Sequence, residues 1–315
     1  MIKKIISPLS YRFIKYYRGR YIKSTSLGLN KHIETNPEGA YDLIYQAISS
    51  DNPCMISRFG NNELDVTLNY RKGHPLCFLR NILPFWVGEE TKNRMVINAG
   101  FFPNDNKEFA RYADFSIAIS REIDILGVMT GFELNLKEID KAKLVKLELL
   151  EPFWSKKPWS ALLKGKKVLV IHPFEESIRS QYNRRELLFE NKDTLPEFAS
   201  LQIIKAVQSI GGENNKFNTW FDALHYMEDQ IDACDYDIAL IGCGAYGMPL
   251  AAHCKQKGKK AIHLGGVLQL LFGIRGKRWE YDGWPHKELI NEYWVRPLET
   301  EKPVMAGKVE EACYW

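Results

Sequence analysis

Cysteine is scarce in this sequence and follows no paired motif. Six cysteines occur among 315 residues, none in a C-x-x-C pair. We therefore expect neither a zinc site of that type nor a disulfide framework. Cys54, Cys243 and Cys254 lie in apolar surroundings, where thiols are normally buried. This usage fits a protein of the reducing cytoplasm.

Long apolar runs are also absent. No stretch reaches the roughly 20 residues that a membrane-spanning helix needs, and no signal peptide with a small-residue cleavage site is visible. Hydrophobic residues make up 45% and charged residues 26% of the sequence, which is ordinary for a globular protein. A chain of this length can form one large or two modest α/β domains.

Positive charge is confined to the N-terminus. Residues 1–23 carry seven lysines and arginines and no acid, whereas the whole chain has a net charge of +4, so the rest is net −3. A nucleic-acid-binding protein needs a basic face, so we expect no nucleic-acid partner. Ile2, Leu9 and Phe13 are among the apolar residues that recur at helical spacing here. The segment is either a helix that binds the inner face of an anionic membrane peripherally or one that packs on the protein, and Pro8 interrupts both patterns.

The clearest structural signal is a strand followed by a glycine-rich turn. The apolar run Ile238–Ile241 predicts a buried strand. Gly242, Gly244 and Gly247 follow it with the spacing G-x-G-x-x-G. Backbone N–H groups of such a turn, at the start of a helix, can bind a phosphate.

This unit continues with a helix and a second strand. Met248–Lys257 predicts the helix, with Gly258 as its C-terminal cap, and Ala261–Leu264 predicts the strand. A second turn follows at Gly265 and Gly266. The order of elements predicts a Rossmann-like α/β fold, an open and mostly parallel sheet with helices on both faces.

The dinucleotide interpretation of the glycine turn is weak. An NAD(P) site normally lies in the first such unit of its domain and has an acid at the end of the second strand. Here the unit lies late in the chain, and His263 and Leu264 stand at that position, so we expect no NAD. Either the glycines serve packing alone, or the turn borders a crevice for another phosphate, such as that of a sugar nucleotide.

A second polar motif follows an early strand. Cys54–Ser57 predicts the strand, and Arg58 begins the motif R-F-G-N-N-E-L after it. Asn61 or Asn62 can cap the following helix, which places Glu63 in its first turn. Either Glu63 complements the helix dipole, or it binds a metal or a sugar hydroxyl with help from an asparagine oxygen. In the second case Arg58 is a clamp for a phosphate or carboxylate.

A third polar group follows the predicted strand Val168–Ile171. Cations and hydroxyls at the start of a helix after a strand suit a diphosphate, and Ser177 is a suitable N-cap. The alternative is an exposed basic helix. The polar residues of this segment are His172, Glu175, Glu176, Ser177, Arg179, Gln181 and Tyr182.

The remaining patterns complete the predicted organisation. It comprises a basic segment (1–35), two α/β lobes (36–155 and 156–275) and a tail (276–315) that holds half of the tryptophans. The aromatic rings of the tail either stack on sugars or fill grooves of the body. Further predicted elements are the helices Ala40–Ser49, Asp105–Ser120, Ala142–Phe153 and Trp220–Cys234, the strands Ile123–Met129 and Leu201–Val207, and the linker Trp154–Lys166.

The motifs together resemble those of the GT-D-type glycosyltransferases, bacterial enzymes with a Rossmann-like fold that build surface glycans. That family carries R-[YF]-G-D-G-E-[FL] after an early strand, where this chain has Arg58 to Leu64. Its late strand D-[ILV]-x-L-I-x-x-G matches Asp237–Gly244, and a segment ending in A-I-x-[IL]-G matches Lys257–Gly265. The resemblance implies a nucleotide-sugar donor and a glycan or lipid-linked acceptor.

The resemblance also bears on a metal. The D-x-E motif of the family has an acid where Asn61 stands, and only Glu63 is kept. A divalent cation, Mn or Mg, would have these two residues as its protein ligands, with less charge than in the family.

The predicted reaction therefore transfers a sugar from a nucleotide sugar to a growing surface glycan. The enzyme must stabilise charge on the diphosphate leaving group, and a base must take the acceptor proton if the reaction inverts. His172, Glu175 and Glu176 are candidate bases, with Glu63 as a further catalytic carboxylate. The predicted substrate-binding residues are Arg58, Asn61, Asn62, Ser177, Arg179, Gln181, Tyr182, Gly242, Gly244, Tyr246, Gly247, His263, Gly265, Gly266, Gln269 and Arg275.

Two other classes of function stay open. One is an NAD(P)-linked enzyme that acts on nucleotide sugars, and the other is a non-catalytic module that binds a nucleotide or polysaccharide. His263 likewise has two interpretations, a contact to donor or metal and a hydrogen-bonded structural histidine.

Overall fold

The computed structural model describes residues 31–72, 89–210, 216–281, 283–309 and 311–315. The basic helix predicted for residues 1–23 lies outside these ranges, so its membrane contact stays a prediction. Within the described ranges, no helix has both the length and the apolarity needed to cross a bilayer.

In the described part of the chain, eight parallel strands form one open sheet in the order β1-β4-β3-β2-β8-β7-β5-β6. This arrangement confirms the predicted Rossmann-like α/β class. The strands are β1 (Ile33–Glu34), β2 (Cys54–Arg58), β3 (Ile125–Val128), β4 (Lys143–Lys146), β5 (Lys167–His172), β6 (Ser200–Lys205), β7 (Ile238–Ile241) and β8 (Lys260–His263).

Helices cover both faces of this sheet because alternate residues of each strand enter two separate cores. In β7, for example, Ala239 and Ile241 join one buried cluster, while Ile238 and Leu240 join the other. The helices of the described residues are α1 (Pro37–Ser49), α2 (Asn61–Lys72), α3 (Glu89–Ala99), α4 (Asn106–Ile119), α5 (Glu175–Tyr182), α6 (Trp220–Asp232), α7 (Gly247–Gln256) and α8 (Leu268–Leu271).

One predicted element is wrong, and the predicted boundary between two lobes does not divide the sheet. The helix predicted for Ala142–Phe153 is instead β4 followed by a 3-10 turn, Leu147–Leu150. Leu144 and Val145 enter opposite cores, and β4 pairs in parallel with β3, so tertiary pairing overrides the helical pattern. The two predicted lobes share one sheet, since β2 pairs with β8 across the predicted boundary.

The tail packs on one face of the sheet. Trp279, Trp284, Trp294 and Trp315 are all buried and join the core cluster that contains α1 and α5. Their rings therefore fill the body of the protein, which agrees with the packing interpretation of the tail. Trp279 and Trp315 also reach the cavity described below.

A buried carboxylate fastens the tail to the start of α5. Glu301 accepts hydrogen bonds from the backbone N–H groups of Glu176 (2.8 Å) and Ser177 (3.2 Å), and also from the Ser177 hydroxyl. The Ser177 hydroxyl in turn accepts from the Leu298 N–H at 3.1 Å. An anion is favoured at a helix N-terminus by the helix dipole. Here the chain supplies that anion itself.

We expect Glu301→Ala to lower the free energy of unfolding by about 2–4 kcal/mol, because buried donors at the start of α5 lose their charged acceptor. Urea unfolding measures this difference. The matched control is Glu299→Ala, on the same turn but exposed, which should change stability little. Equal stability of the two variants would contradict the role of Glu301 as a clamp.

Candidate functional site

A cavity of about 380 Å³ lies at the carboxyl edge of the sheet. The strand order explains the position of the cavity. β6 and β7 flank β5 on opposite sides, and such reversals of strand order open a crevice between the connecting loops. Residues at or just after the ends of β2, β5, β7 and β8 contribute Arg58, His172, Gly242 and Gly265 to its lining. The volume is within the usual range for small-molecule sites.

Each of the three glycines in the G-x-G-x-x-G spacing is required for a different structural reason. A Cβ on Gly242 would lie 2.7 Å from the Gly265 carbonyl oxygen, so the two turns touch. Gly244 has a φ of +59°, a conformation that glycine adopts readily. A Cβ on Gly247 would lie 2.2 Å from Nε2 of His263. These glycines serve packing, and Gly242 and Gly244 also line the cavity.

His263 is buried and neutral at the end of β8. Its Nδ1 lies 3.1 Å from the Ser57 hydroxyl oxygen. Burial, together with the charge of Arg58, lowers the pKa of His263 to about 3. This residue lines the cavity and has the hydrogen-bonded environment of a structural histidine.

His172 offers a hydrogen-bond donor to the cavity. Its Nδ1 accepts from the Phe174 N–H at 3.1 Å, and burial lowers its pKa to about 3. A neutral ring that accepts at Nδ1 carries its proton on Nε2. His172 therefore suits donation to an oxygen of a ligand better than the base role predicted from the sequence.

Arg58 brings a poorly compensated cation to the cavity. Its Nε is buried and has no hydrogen-bond partner among the described residues, and its Nη2 meets only the sulfur of Met129, at 3.9 Å. Burial lowers the pKa of the guanidinium, and the charge of Glu63 opposes this effect. Because arginine stays charged in proteins, this side chain suits an anionic ligand.

Gly265 and Gly266 make room for two side chains of the cavity wall. A Cβ on Gly265 would lie 3.0 Å from Nη1 of Arg58, and one on Gly266 would lie 2.3 Å from the ring of Tyr314. Gln269 donates to the Tyr314 carbonyl oxygen at 3.2 Å and lines the same wall. The second glycine turn thus positions both a cation and an aromatic ring.

The first turn of α2 supplies oxygen atoms to the cavity. Asn61, Asn62 and Glu63 all line it, and Gly60 takes the cap position, its carbonyl accepting from the Leu64 N–H at 2.9 Å. The predicted asparagine cap is therefore wrong. The Glu63 carboxylate folds over Gly60, since a Cβ there would lie 2.0 Å from Oε2. Burial raises the pKa of Glu63.

These oxygens fit a divalent cation only in part. In the part of the chain that the structure describes, no group of three histidine, cysteine or acidic side chains could hold a metal ion. Glu63 and Asn61 supply one carboxylate and one amide from the first turn of α2. Magnesium is often held by one or two carboxylates together with substrate phosphates, and this pair fits such a shared site.

The polar cluster of α5 does not belong to the cavity, contrary to the prediction. Ser177 is the third residue of α5 and is engaged by Glu301, which occupies the place expected for a phosphate. Arg179 is exposed and pairs with Glu175 at 3.2 Å across one turn. None of these three predicted site residues lines the cavity.

Gln181, Tyr182 and Arg275 are likewise structural. Gln181 donates to the carbonyl oxygens of Gly273 and Tyr293, at 3.0 and 3.1 Å. The Tyr182 hydroxyl accepts from a backbone N–H at 2.7 Å. Arg275 lies 3.8 Å from a carboxylate oxygen of the tail. These contacts make α5 and Arg275 part of the packing of the tail, and none of the three residues lines the cavity.

Tyr246 is held in the cavity wall by packing against a second aromatic ring. Its ring stacks on Trp220, with centroids 4.8 Å apart and planes 5° apart, and its hydroxyl lies 3.3 Å from the Ser209 hydroxyl. Tyr246 and Ser209 both line the cavity. The large buried area of this pair holds the glycine turn in place.

Sequence reasoning missed one carboxylate of the cavity, Glu151. This residue follows the Leu147–Leu150 turn and lines the cavity. Burial raises its pKa to about 7, with the Trp154 indole lowering it and the charge of Glu148 raising it further. The signal in the sequence is a single acid between apolar residues, L-L-E-P-F-W, which the predicted helix concealed.

Comparison with known proteins gives two distant structural neighbours. No family model matches the chain, and no curated protein matches it. One solved structure, described as domain of unknown function 1792, has a TM-score of 0.42 and 14% identity over 85% of this chain and 92% of its own. Another, described as a new glycosyltransferase (DUF1792) from Streptococcus sanguinis, has a TM-score of 0.40 and 11% identity over 86% and 96%.

The second neighbour is a glycosyltransferase, the class of enzyme that the sequence motifs resemble. Both neighbours are likenesses of fold alone.

Glu151→Gln should raise the melting temperature at pH 8, and the gain should shrink towards pH 5. Between the ordinary glutamate pKa of 4.5 and about 7, the folded wild type holds a proton that the unfolded chain releases, so its stability falls as pH rises. Glutamine removes this penalty. Thermal unfolding at pH 5 and pH 8 measures the difference.

The matched control is Glu148→Gln, on the same turn and paired with Lys146. It should show no comparable gain at pH 8. A gain of equal size in both variants, or one independent of pH, would contradict the burial of the Glu151 carboxyl.

Proposed function

We propose that the protein transfers a sugar from a nucleotide-sugar donor to a hydroxyl group of a glycan acceptor. The observation that carries this proposal is Arg58, a half-buried cation that makes no ion pair with another described residue and lines a cavity at the carboxyl edge of a parallel sheet. Such edges bind phosphate-bearing ligands in α/β folds. The resemblance of the sequence motifs supports the same reaction.

The leaving group in this reaction is a nucleoside diphosphate, and its growing charge must be stabilised. Arg58 supplies a permanent cation, and His172 supplies a neutral Nε2–H donor. Glu63 and Asn61 would hold a divalent cation together with the diphosphate, and that cation would neutralise charge on the phosphate oxygens. Each of these groups lines the same cavity.

The finer assignment concerns the acceptor. A growing surface polysaccharide or a lipid-linked oligosaccharide fits the family resemblance. The basic segment 1–23, with seven cations, would hold the enzyme peripherally at the inner face of an anionic membrane. This placement brings the cavity near a lipid-linked acceptor and leaves the protein otherwise in the cytoplasm.

A panel of nucleotide sugars, tested by thermal shift with and without manganese, examines the proposal directly. The preferred donor should raise the melting temperature by mass action, and incubation with a panel of octyl glycosides should then release nucleoside diphosphate. Stabilisation by NAD(H) rather than by a nucleotide sugar would favour the oxidoreductase class. Donor binding with no release of diphosphate would favour a non-catalytic binding module.

Arg58→Ala should weaken binding of the nucleoside diphosphate by about 1.5–3 kcal/mol, the usual value for a hydrogen bond to a charged group. The control is Arg179→Ala, an exposed arginine outside the cavity, which should bind with unchanged affinity. Isothermal titration calorimetry measures both. Unchanged affinity in a folded Arg58→Ala variant would remove Arg58 from the site.

A further inference from the structure

The cavity has a second wall that the proposed donor contacts leave unused. It is formed after β3 and β4 by Met129, Leu147, Leu150 and Glu151. The donor contacts lie after β2, β5, β7 and β8, so the two walls belong to different parts of the sheet. We call Met129, Leu147, Leu150 and Glu151 the β3–β4 wall.

The carboxylate of the β3–β4 wall is on a firmly held turn. A Cβ on Gly127 would lie 2.6 Å from Cδ1 of Leu150, so the turn packs directly on the backbone of β3. The Trp159 indole donates to the Leu150 carbonyl oxygen at 2.9 Å, and the Glu151 N–H donates to the Glu148 carbonyl oxygen at 3.0 Å. Glu151 is therefore positioned by rigid structure.

The loop that follows β3, which begins with Met129 of this wall, carries exposed apolar side chains. Met129 is 36% and Phe132 is 47% exposed. A buried carboxylate, Glu133, fixes their loop by accepting from the N–H groups of Met129 (3.0 Å) and Thr130 (3.3 Å). Apolar and aromatic faces that are rigid and exposed suit contact with the CH faces of a sugar ring.

We propose that the β3–β4 wall is the acceptor subsite and that Glu151 takes the proton of the attacking hydroxyl group. This inference rests on the proposed glycosyl transfer. The acceptor oxygen forms a bond to the anomeric carbon, and the bond from that carbon to the diphosphate oxygen breaks. The bonding electron pair leaves with the nucleoside diphosphate, while the hydroxyl proton moves to the Glu151 carboxylate.

The electrostatic surroundings of Glu151 suit this role. Burial raises its pKa to about 7, and the charge that adds to the effect is that of Glu148 on its own turn. The other charged groups nearby are Asp42 on α1, which packs on the turn, and Arg58 and Glu63, which line the same cavity. A general base works best when its pKa is near the working pH.

The test measures release of nucleoside diphosphate from the preferred donor in the presence of octyl glycosides. The kcat of the wild type should rise with pH through about 7, because the base must be ionised. Glu151→Gln should lower kcat by about 100-fold or more and remove this dependence on pH. Its affinity for the donor should match that of the wild type.

Two further variants make the result specific. Glu148→Gln, on the same turn, should keep kcat near the wild-type value. Glu151→Asp keeps a carboxylate and should retain the dependence on pH at a reduced rate. If Glu151→Gln is less active but keeps the wild-type pH dependence, the residue is structural and the inference is wrong.

The outcomes separate the inference from the proposed function. If the wild type releases diphosphate and Glu151→Gln does so equally fast, glycosyl transfer stands and the acceptor subsite is wrong. If the wild type releases no diphosphate from any nucleotide sugar, the proposed function and the inference fail together.

Discussion

The cavity depends on the contact between two glycine turns at the carboxyl edge of the sheet. Gly242 and Gly265 approach so closely that a Cβ on the first would lie 2.7 Å from the carbonyl oxygen of the second. This contact follows from the pairing of β7 with β8, which brings both turns to the same edge. Any larger side chain at Gly242 would also meet the ring of His172, 2.8 Å from that Cβ, and would disturb the cavity at its centre.

Local patterns predicted the parts of the molecule that local physics decides. Apolar runs and glycine turns located β7, α7 and β8 to within one residue at each end, and parallel strands then had to carry Arg58, His172 and Gly242 to one edge. Glu63 reached the cavity for the same reason. The sheet order itself depends on long-range pairing, which no short window of sequence contains.

The failures have the opposite cause, since each depends on a distant partner. The start of α5 has the composition of a phosphate site, but its anion is Glu301, a residue 124 positions away from Ser177. β4 has a pattern that suits a helix, and pairing with β3 decides its conformation. Because that error covered Glu151, the acid of the β3–β4 wall could not be recognised before the fold was known.

Burial acts on the ionisable groups of the cavity in one direction, towards the uncharged form. It lowers the pKa of Arg58, His172 and His263 and raises that of Glu63 and Glu151. A buried cation with an unpaired nitrogen is costly unless an anion compensates it. A diphosphate would supply that anion at Arg58, while a neutral acceptor hydroxyl at the β3–β4 wall would leave Glu151 close to its titration point. The two walls thus favour ligands of different charge, which is the asymmetry that transfer between an anionic donor and a neutral acceptor requires.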